Sequence, residues 1–199
     1  MPTSPADTWT DMRARCVVRP TPLVEPATHR PRAAVLTCSD ARLSPARLFD
    51  LPEGSLFVVR VAGNVASEEV VASLTYAVGA LDVETVVVLG HSHCGAVSAA
   101  LDGGRDPNLA CLTRPIRAAI DGSAVDDDSA CEEMACAVTR NVESSLATLR
   151  DDPGPLGTAV RSGRVDLHGA VVDLTTSALV DVPLPDPSPD RNRPNRRHP

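Results

Sequence analysis

Three short apolar runs, each stopping abruptly at residues that carry chemistry, most limit how this chain can fold. The first is Ala33-Ala34-Val35-Leu36, ending at Thr37-Cys38-Ser39-Asp40. The second, Ser55-Leu56-Phe57-Val58-Val59-Arg60-Val61, opens after Pro52-Glu53-Gly54 and stops at Gly63-Asn64. The third, Thr85-Val86-Val87-Val88-Leu89, is β-branched and ends at Gly90-His91. Runs of this length, bounded by turn residues, read as buried strands. Helical spacing fills the gaps. From Ser67 the apolar positions Val70, Val71, Leu74, Ala77, Val78 and Leu81 recur at three- and four-residue intervals. Ser67 is placed to cap that helix, and Glu68 and Glu69 suit its positive end. Another helix is expected from Gly95 to Leu101. A later one should begin at Asp126-Asp127-Asp128-Ser129 and carry Met134, Val138, Val142, Leu146 and Leu149 on one face. A final strand, Val165 to Leu174, follows Gly163, with a turn at Thr175-Thr176 and a return strand near Leu179 to Val182. Strands alternating with helices imply an α/β domain, a mainly parallel central β-sheet flanked by helices.

Prolines punctuate the first thirty residues, leaving room for only a short helix around Asp7 to Cys16 with Trp9 as its anchor. We therefore divide the chain into an N-terminal arm (1–28), a folded domain (29–182) and a Pro/Arg-rich tail (183–199) expected to be disordered. Aromatic residues are only 2% of the chain, so its core must be packed from Val, Leu and Ala. A net charge of −7 argues against nucleic acid as the main partner, and the Arg191–Arg197 stretch reads as solvated. No apolar run approaches the roughly 18–20 residues of a membrane span, and Met1 to Thr10 lacks the layout of a secretory signal. The expected setting is cytoplasmic. In a reducing compartment, metal binding or burial is the default for the six cysteines.

Two strand ends are chemically loaded. One delivers Cys38-Ser39-Asp40-Ala41-Arg42 and another His91-Ser92-His93-Cys94-Gly95. Ligands of open parallel sheets bind beyond the carboxyl ends of the strands. If these two strands are neighbours, Cys38 comes close to the His91–Cys94 pair. Two thiolates and an imidazole suit tetrahedral Zn2+, and three protein ligands leave a fourth position open, as in catalytic zinc. Either motif alone is weak, since a lone Cys after a strand is usually a small buried hydrophobe. His93 is a rival ligand, one residue from Cys94. Cys16, Cys111, Cys131 and Cys136 read as plain core or surface cysteines. Asp40 and Arg42, two residues apart, can pair, which would hold the carboxylate in place and ionised beside a metal-bound water.

These residues resemble the β-class carbonic anhydrases, whose signature is Cys-x-Asp-x-Arg followed later by His-x-x-Cys. Here the two motifs are Cys38-Ser39-Asp40-Ala41-Arg42 and His91-Ser92-His93-Cys94, inside a Gly-His-x-x-Cys-Gly frame. Arg60-Val61-Ala62-Gly63-Asn64 is similar to the family's Arg-Asn-Ala-Gly-Asn segment, and Tyr76 also falls in the pattern. The likeness covers roughly residues 29–182. It implies reversible hydration of carbon dioxide to bicarbonate and a proton, by attack of a zinc-bound hydroxide whose pKa the metal lowers toward ~7. It assigns Cys38, His91 and Cys94 to Zn2+, and Asp40, paired with Arg42, to orienting that hydroxide and moving its proton. Asp40 is also a fourth ligand in a closed state known for some members. The pocket for carbon dioxide would be lined by Phe57, Val61, Ala62, Gly63 and Tyr76.

The chain departs from the family pattern at three places. His29 stands where the family usually has a substrate-contacting Gln. Val35 falls where a Trp helps form an inhibitory bicarbonate pocket in some members, so that pocket is expected to be absent. The proline-broken arm is a poor match to the helices that embrace a partner subunit, yet a homodimer or dimer of dimers is still what the resemblance implies. Two alternatives keep the fold: hydrolysis of carbon disulfide or carbonyl sulfide at the same site, and a non-catalytic zinc-binding regulator.

Overall fold

The structure, a computed structural model, describes residues 12–13, 29–122 and 132–186. The helix expected over Asp7 to Cys16 lies outside them except for Met12 and Arg13, which are helical. The expected helix start at Asp126, Cys131 and most of the tail also lie outside.

The three apolar runs become β1 (Ala33–Thr37), β2 (Leu56–Arg60) and β3 (Thr85–His91), and the C-terminal pair becomes β4 (Asp166–Val172) and β5 (Leu179–Val182). They form one sheet in the order β2-β1-β3-β4-β5. The first four strands are parallel and β5 is antiparallel to β4. The mainly parallel α/β expectation is met, and β1 and β3 are neighbours. Between and after the strands run α1 (Pro45–Leu48), α2 (Glu68–Ala80), α3 (Gly95–Leu101), α4 (Ala110–Asp121), α5 (Glu133–Asp151) and α6 (Pro155–Arg161).

The central strands β1 and β3 bury both faces, as a parallel sheet covered by helices requires, while β2 and β5 at the edges are more exposed. On one face Ala34, Leu36, Val86 and Val88 meet Val70, Leu74 and Ala77 of α2, Val142, Leu146 and Leu149 of α5, and Leu156 and Ala159 of α6. On the other, Val35, Leu89, Ala170 and Val172 pack with Leu43 and the partly buried Leu48 and Phe49. The core is built from Val, Leu and Ala, as the composition requires.

Three local expectations are corrected. Ser67 precedes α2 but makes no side-chain cap; its hydroxyl donates to the Glu69 carboxylate (2.8 Å) instead. Helix α4 was not anticipated because Pro115 interrupts its sequence, yet Thr113 and Ile116 are buried along it. Cys136 is disulfide-bonded rather than a plain thiol. Cys111 is free and exposed.

Helix α5 lies unusually close to the sheet because two strand positions lack a side chain. A Cβ at Gly90 would stand 2.6 Å from a Val142 methyl. One at Gly169 would stand 2.5 Å from a Leu146 methyl and 3.0 Å from the Val182 carbonyl oxygen. Arg150, near the end of α5, pairs with Asp151 and donates to the Pro185 carbonyl, tying the chain beyond β5 to the helix. Gly169→Ala should therefore destabilise the fold by about 1–3 kcal/mol in denaturant unfolding. Gly79→Ala, exposed near the end of α2 with open space around it, should be neutral or stabilising by roughly 0.4–1 kcal/mol. Equal effects of the two substitutions would contradict the close approach of α5.

Candidate metal centre and active site

Strand register builds this site. Thr37 of β1 pairs with Leu89 of β3, and its buried hydroxyl donates to the Leu89 carbonyl (2.9 Å). The two strands therefore end side by side. Cys38 follows β1 directly, His91 closes β3, and Cys94 sits at the residue preceding α3. Their ligand atoms all lie within 4.8 Å of one another, and all three residues are buried.

The donor set fits a tetrahedral metal. Cys38 Sγ and Cys94 Sγ are 3.9 Å apart, close to the separation of about 3.8 Å that two metal–sulfur bonds of ~2.3 Å give at a tetrahedral angle. His91 is fully buried, and its Nε2 has no hydrogen-bond partner. Its Nδ1 lies 2.9 Å from the Ser92 carbonyl oxygen. Donation from Nδ1–H to that carbonyl fixes the tautomer and leaves the Nε2 lone pair for a metal. The hydrogen bond between the thiols pushes Cys38 down and Cys94 up, so one proton is already weakly held at Cys38. The Gly63 N–H adds a further bond to Cys38 Sγ (3.3 Å).

Asp40 and Arg42 form the expected pair. The carboxylate accepts from Arg42 Nε (2.9 Å), Nη2 (2.7 Å) and the backbone N–H (2.9 Å). These bonds hold its carboxyl far below the usual carboxylate range. Its Oδ2 lies 4.0 Å from His91 Nε2, beside the metal position rather than within the ligand cluster. His93, the rival ligand, is outside the cluster; its backbone is left-handed and its carbonyl accepts from Arg42 (3.4 Å).

The residues expected to line the pocket divide into two groups. Val61, Ala62 and Gly63 follow β2 beside Cys38: the Val61 N–H donates to the Thr37 carbonyl (3.1 Å), and Gly63 reaches the Cys38 sulfur. Phe57 pairs with Ala34, three positions before the strand end. Its ring lies 6.4 Å from that of His29 and 6.2 Å from that of Tyr76, which is 55% exposed. These three rings form their own cluster at the β2 edge of the sheet. Val35 is fully packed against the core.

Sequence reasoning gave no role to three polar residues around the site. The Arg60 guanidinium donates to the carbonyls of Cys38 (3.2 Å), Asp40 (2.6 Å) and Leu43 (2.8 Å), clamping the loop that carries both functional side chains. Asn141 and Ser145 of α5 are buried and donate to the carbonyls of Gly63 (2.6 Å) and Asn64 (2.9 Å). Their signal was present, since both interrupt the apolar side of a helix at i, i+4 spacing.

Comparison with known proteins agrees with this geometry. A family model described as carbonic anhydrase matches residues 33–179. The carbonic anhydrase of Pseudomonas aeruginosa is 36% identical over 161 residues, covering 75% of this chain and 72% of its own. Carbonic anhydrase 2 of Mycobacterium tuberculosis is 45% identical over 83 residues, 42% of this chain, and the match spans only 40% of that relative's length. Among solved structures, a Coccomyxa β-carbonic anhydrase in complex with acetazolamide shares the fold with a TM-score of 0.72, at 24% identity over 89% of this chain and 84% of its own. The chain belongs to the β-class carbonic anhydrase family.

Proposed function

We propose that this protein catalyses the zinc-dependent, reversible hydration of carbon dioxide to bicarbonate and a proton. The observation that carries the reading is the buried Cys38–His91–Cys94 cluster with the Asp40–Arg42 pair at its side. Cys38 Sγ, His91 Nε2 and Cys94 Sγ would hold the ion. Zinc bound there supplies a Lewis acid strong enough to bring the acidity of water to near-neutral pH.

The chain's own groups perform the rest. Arg42 occupies both carboxylate oxygens of Asp40, which fixes the side chain and keeps it ionised. Oδ2, on the side facing His91 Nε2, retains a lone pair that accepts a hydrogen bond from the reacting water and orients it. The same oxygen is where the proton passes when the site turns over. Cys38 and Cys94 would both hold zinc as thiolates and would have to give up the proton they share, so metal loading should weaken as pH falls. Val61, Ala62 and Gly63 would form the near wall of the carbon dioxide pocket. His29, Phe57 and Tyr76 would belong to the same pocket in an assembled homodimer or dimer of dimers, supported by the exposure of His29 and Tyr76 at the β2 edge on either side of half-buried Phe57. Solved relatives from Sordaria macrospora are tetrameric. The carbon disulfide and non-catalytic alternatives find no support: the matched relatives are carbonic anhydrases, and the Asp40–Arg42 pair is intact. Among the described residues no helix is long and apolar enough to cross a membrane.

Stopped-flow measurement of the zinc-loaded protein should show carbon dioxide hydration well above buffer. Cys38→Ser should lose both zinc and rate. A loaded protein with no rate above buffer would sink the proposal. Asp40→Ala should lower turnover by roughly 10²–10⁴-fold while zinc content stays near that of the parent; loss of zinc would instead make Asp40 a ligand. Sedimentation should show a dimer or larger species, and a fully active monomer would count against the shared pocket.

A further inference from the structure

We propose that Asn141 and Ser145, buried on α5, are positioning residues for the metal centre: they hold the Gly63 amide against Cys38 Sγ and so set how strongly that sulfur donates. This rests on the zinc reading above.

The turn at Ala62–Asn64 is the link. Gly63 and Asn64 both have left-handed backbones (φ 74° and 45°), a conformation that requires support when two occur in succession. The Gly63 N–H points at Cys38 Sγ (3.3 Å), while the carbonyls of Gly63 and Asn64 point the other way, into α5. There Asn141 Nδ2 and Ser145 Oγ, one helical turn apart, donate to them at 2.6 and 2.9 Å. On its remaining sides the turn is wedged by Ala96 of α3 and Ile116 of α4, which a Cβ at Gly63 would approach to 3.1 and 2.8 Å. That packing confines the turn without orienting its peptide planes, and the helix donors set the direction of its amide.

Asn141 and Ser145 are 3% and 4% exposed on a helix side otherwise made of Val138, Val142, Leu146 and Leu149. Polar groups buried there need partners, and both find them on a turn that touches a ligand sulfur. An N–H bond to a thiolate withdraws electron density from it, and hydrogen-bond partners of this kind tune metal sites. Loss of either α5 donor frees the turn and lengthens the N–H···S bond.

The test uses the intact protein loaded with Co2+, whose sulfur-to-metal charge-transfer band reports the electron density on the thiolates. Ser145→Ala and Asn141→Ala should move that band to longer wavelength. Although the sulfur then donates more strongly, both should also lose zinc to a competing chelator roughly 10-fold more readily than the parent, because Cys38 loses a contact that holds it in place. Ser145→Thr, which keeps the hydroxyl, should restore the parent values. Thr148→Ala, on the exposed side of α5, should leave both unchanged. Should Asn141→Ala fail to fold, the Ser145 pair decides alone. Folded variants with reduced melting temperature but an unmoved band and unchanged zinc retention would overturn the proposal and leave the zinc reading standing. A parent protein that binds neither ion would overturn both.

Discussion

The pairing of β1 with β3 is the constraint on which the site depends. These strands are far apart in sequence, yet their register brings both to an end at one level, with Thr37 bonded to the Leu89 carbonyl. Cys38 then has one place to go, and His91 and Cys94 are already there. A slip of two residues would keep every side chain on its proper face and still carry Cys38 about 7 Å along the strand. That displacement exceeds the whole span of the ligand cluster. The fully buried Val86, Val88 and Leu89 and their partners Ala34, Leu36 and Thr37 hold this register.

The helix layer contributes more than cover. Gly90 and Gly169 let α5 settle onto β3 and β4, and the same approach brings Asn141 and Ser145 within reach of the turn after β2. Arg60 acts from the other side, collecting three carbonyls of the Cys38–Leu43 loop on one guanidinium. The metal ligands are thus fixed by backbone contacts as much as by their own strands. Such preorganisation matters because a metal centre tolerates little displacement of its donors.

Much of this was legible in the sequence. Apolar runs ending at Cys38 and His91 revealed strands and ligands together, since strand length and ligand placement are both local properties. Asp40 and Arg42 were legible because they are two residues apart. The partners of Gly63 were not, because Asn141 lies far along the chain and only packing brings it near. The ring cluster was equally hidden: a family pattern names Phe57 and Tyr76 but does not show that the Tyr76 ring on α2 and the His29 ring both meet Phe57 at the β2 edge. Helix α4 was obscured by Pro115, whose cost is outweighed by the burial of Ile116 beneath it. Ser67 carried the composition of a cap, yet its hydroxyl found a better acceptor in Glu69.

The reversed direction of β5 has a consequence for how the molecule can be handled. Leu179 lies level with Val172, and Val172 with His91, so β5 begins at the rim that bears the ligands. It then runs away from that rim to Val182, opposite Gly169, and the Arg150 bond to Pro185 holds the chain there. A surface linkage placed at Pro185 would therefore start away from the rim that bears the ligands. The Cys38–His91–Cys94 rim would not carry the point of attachment.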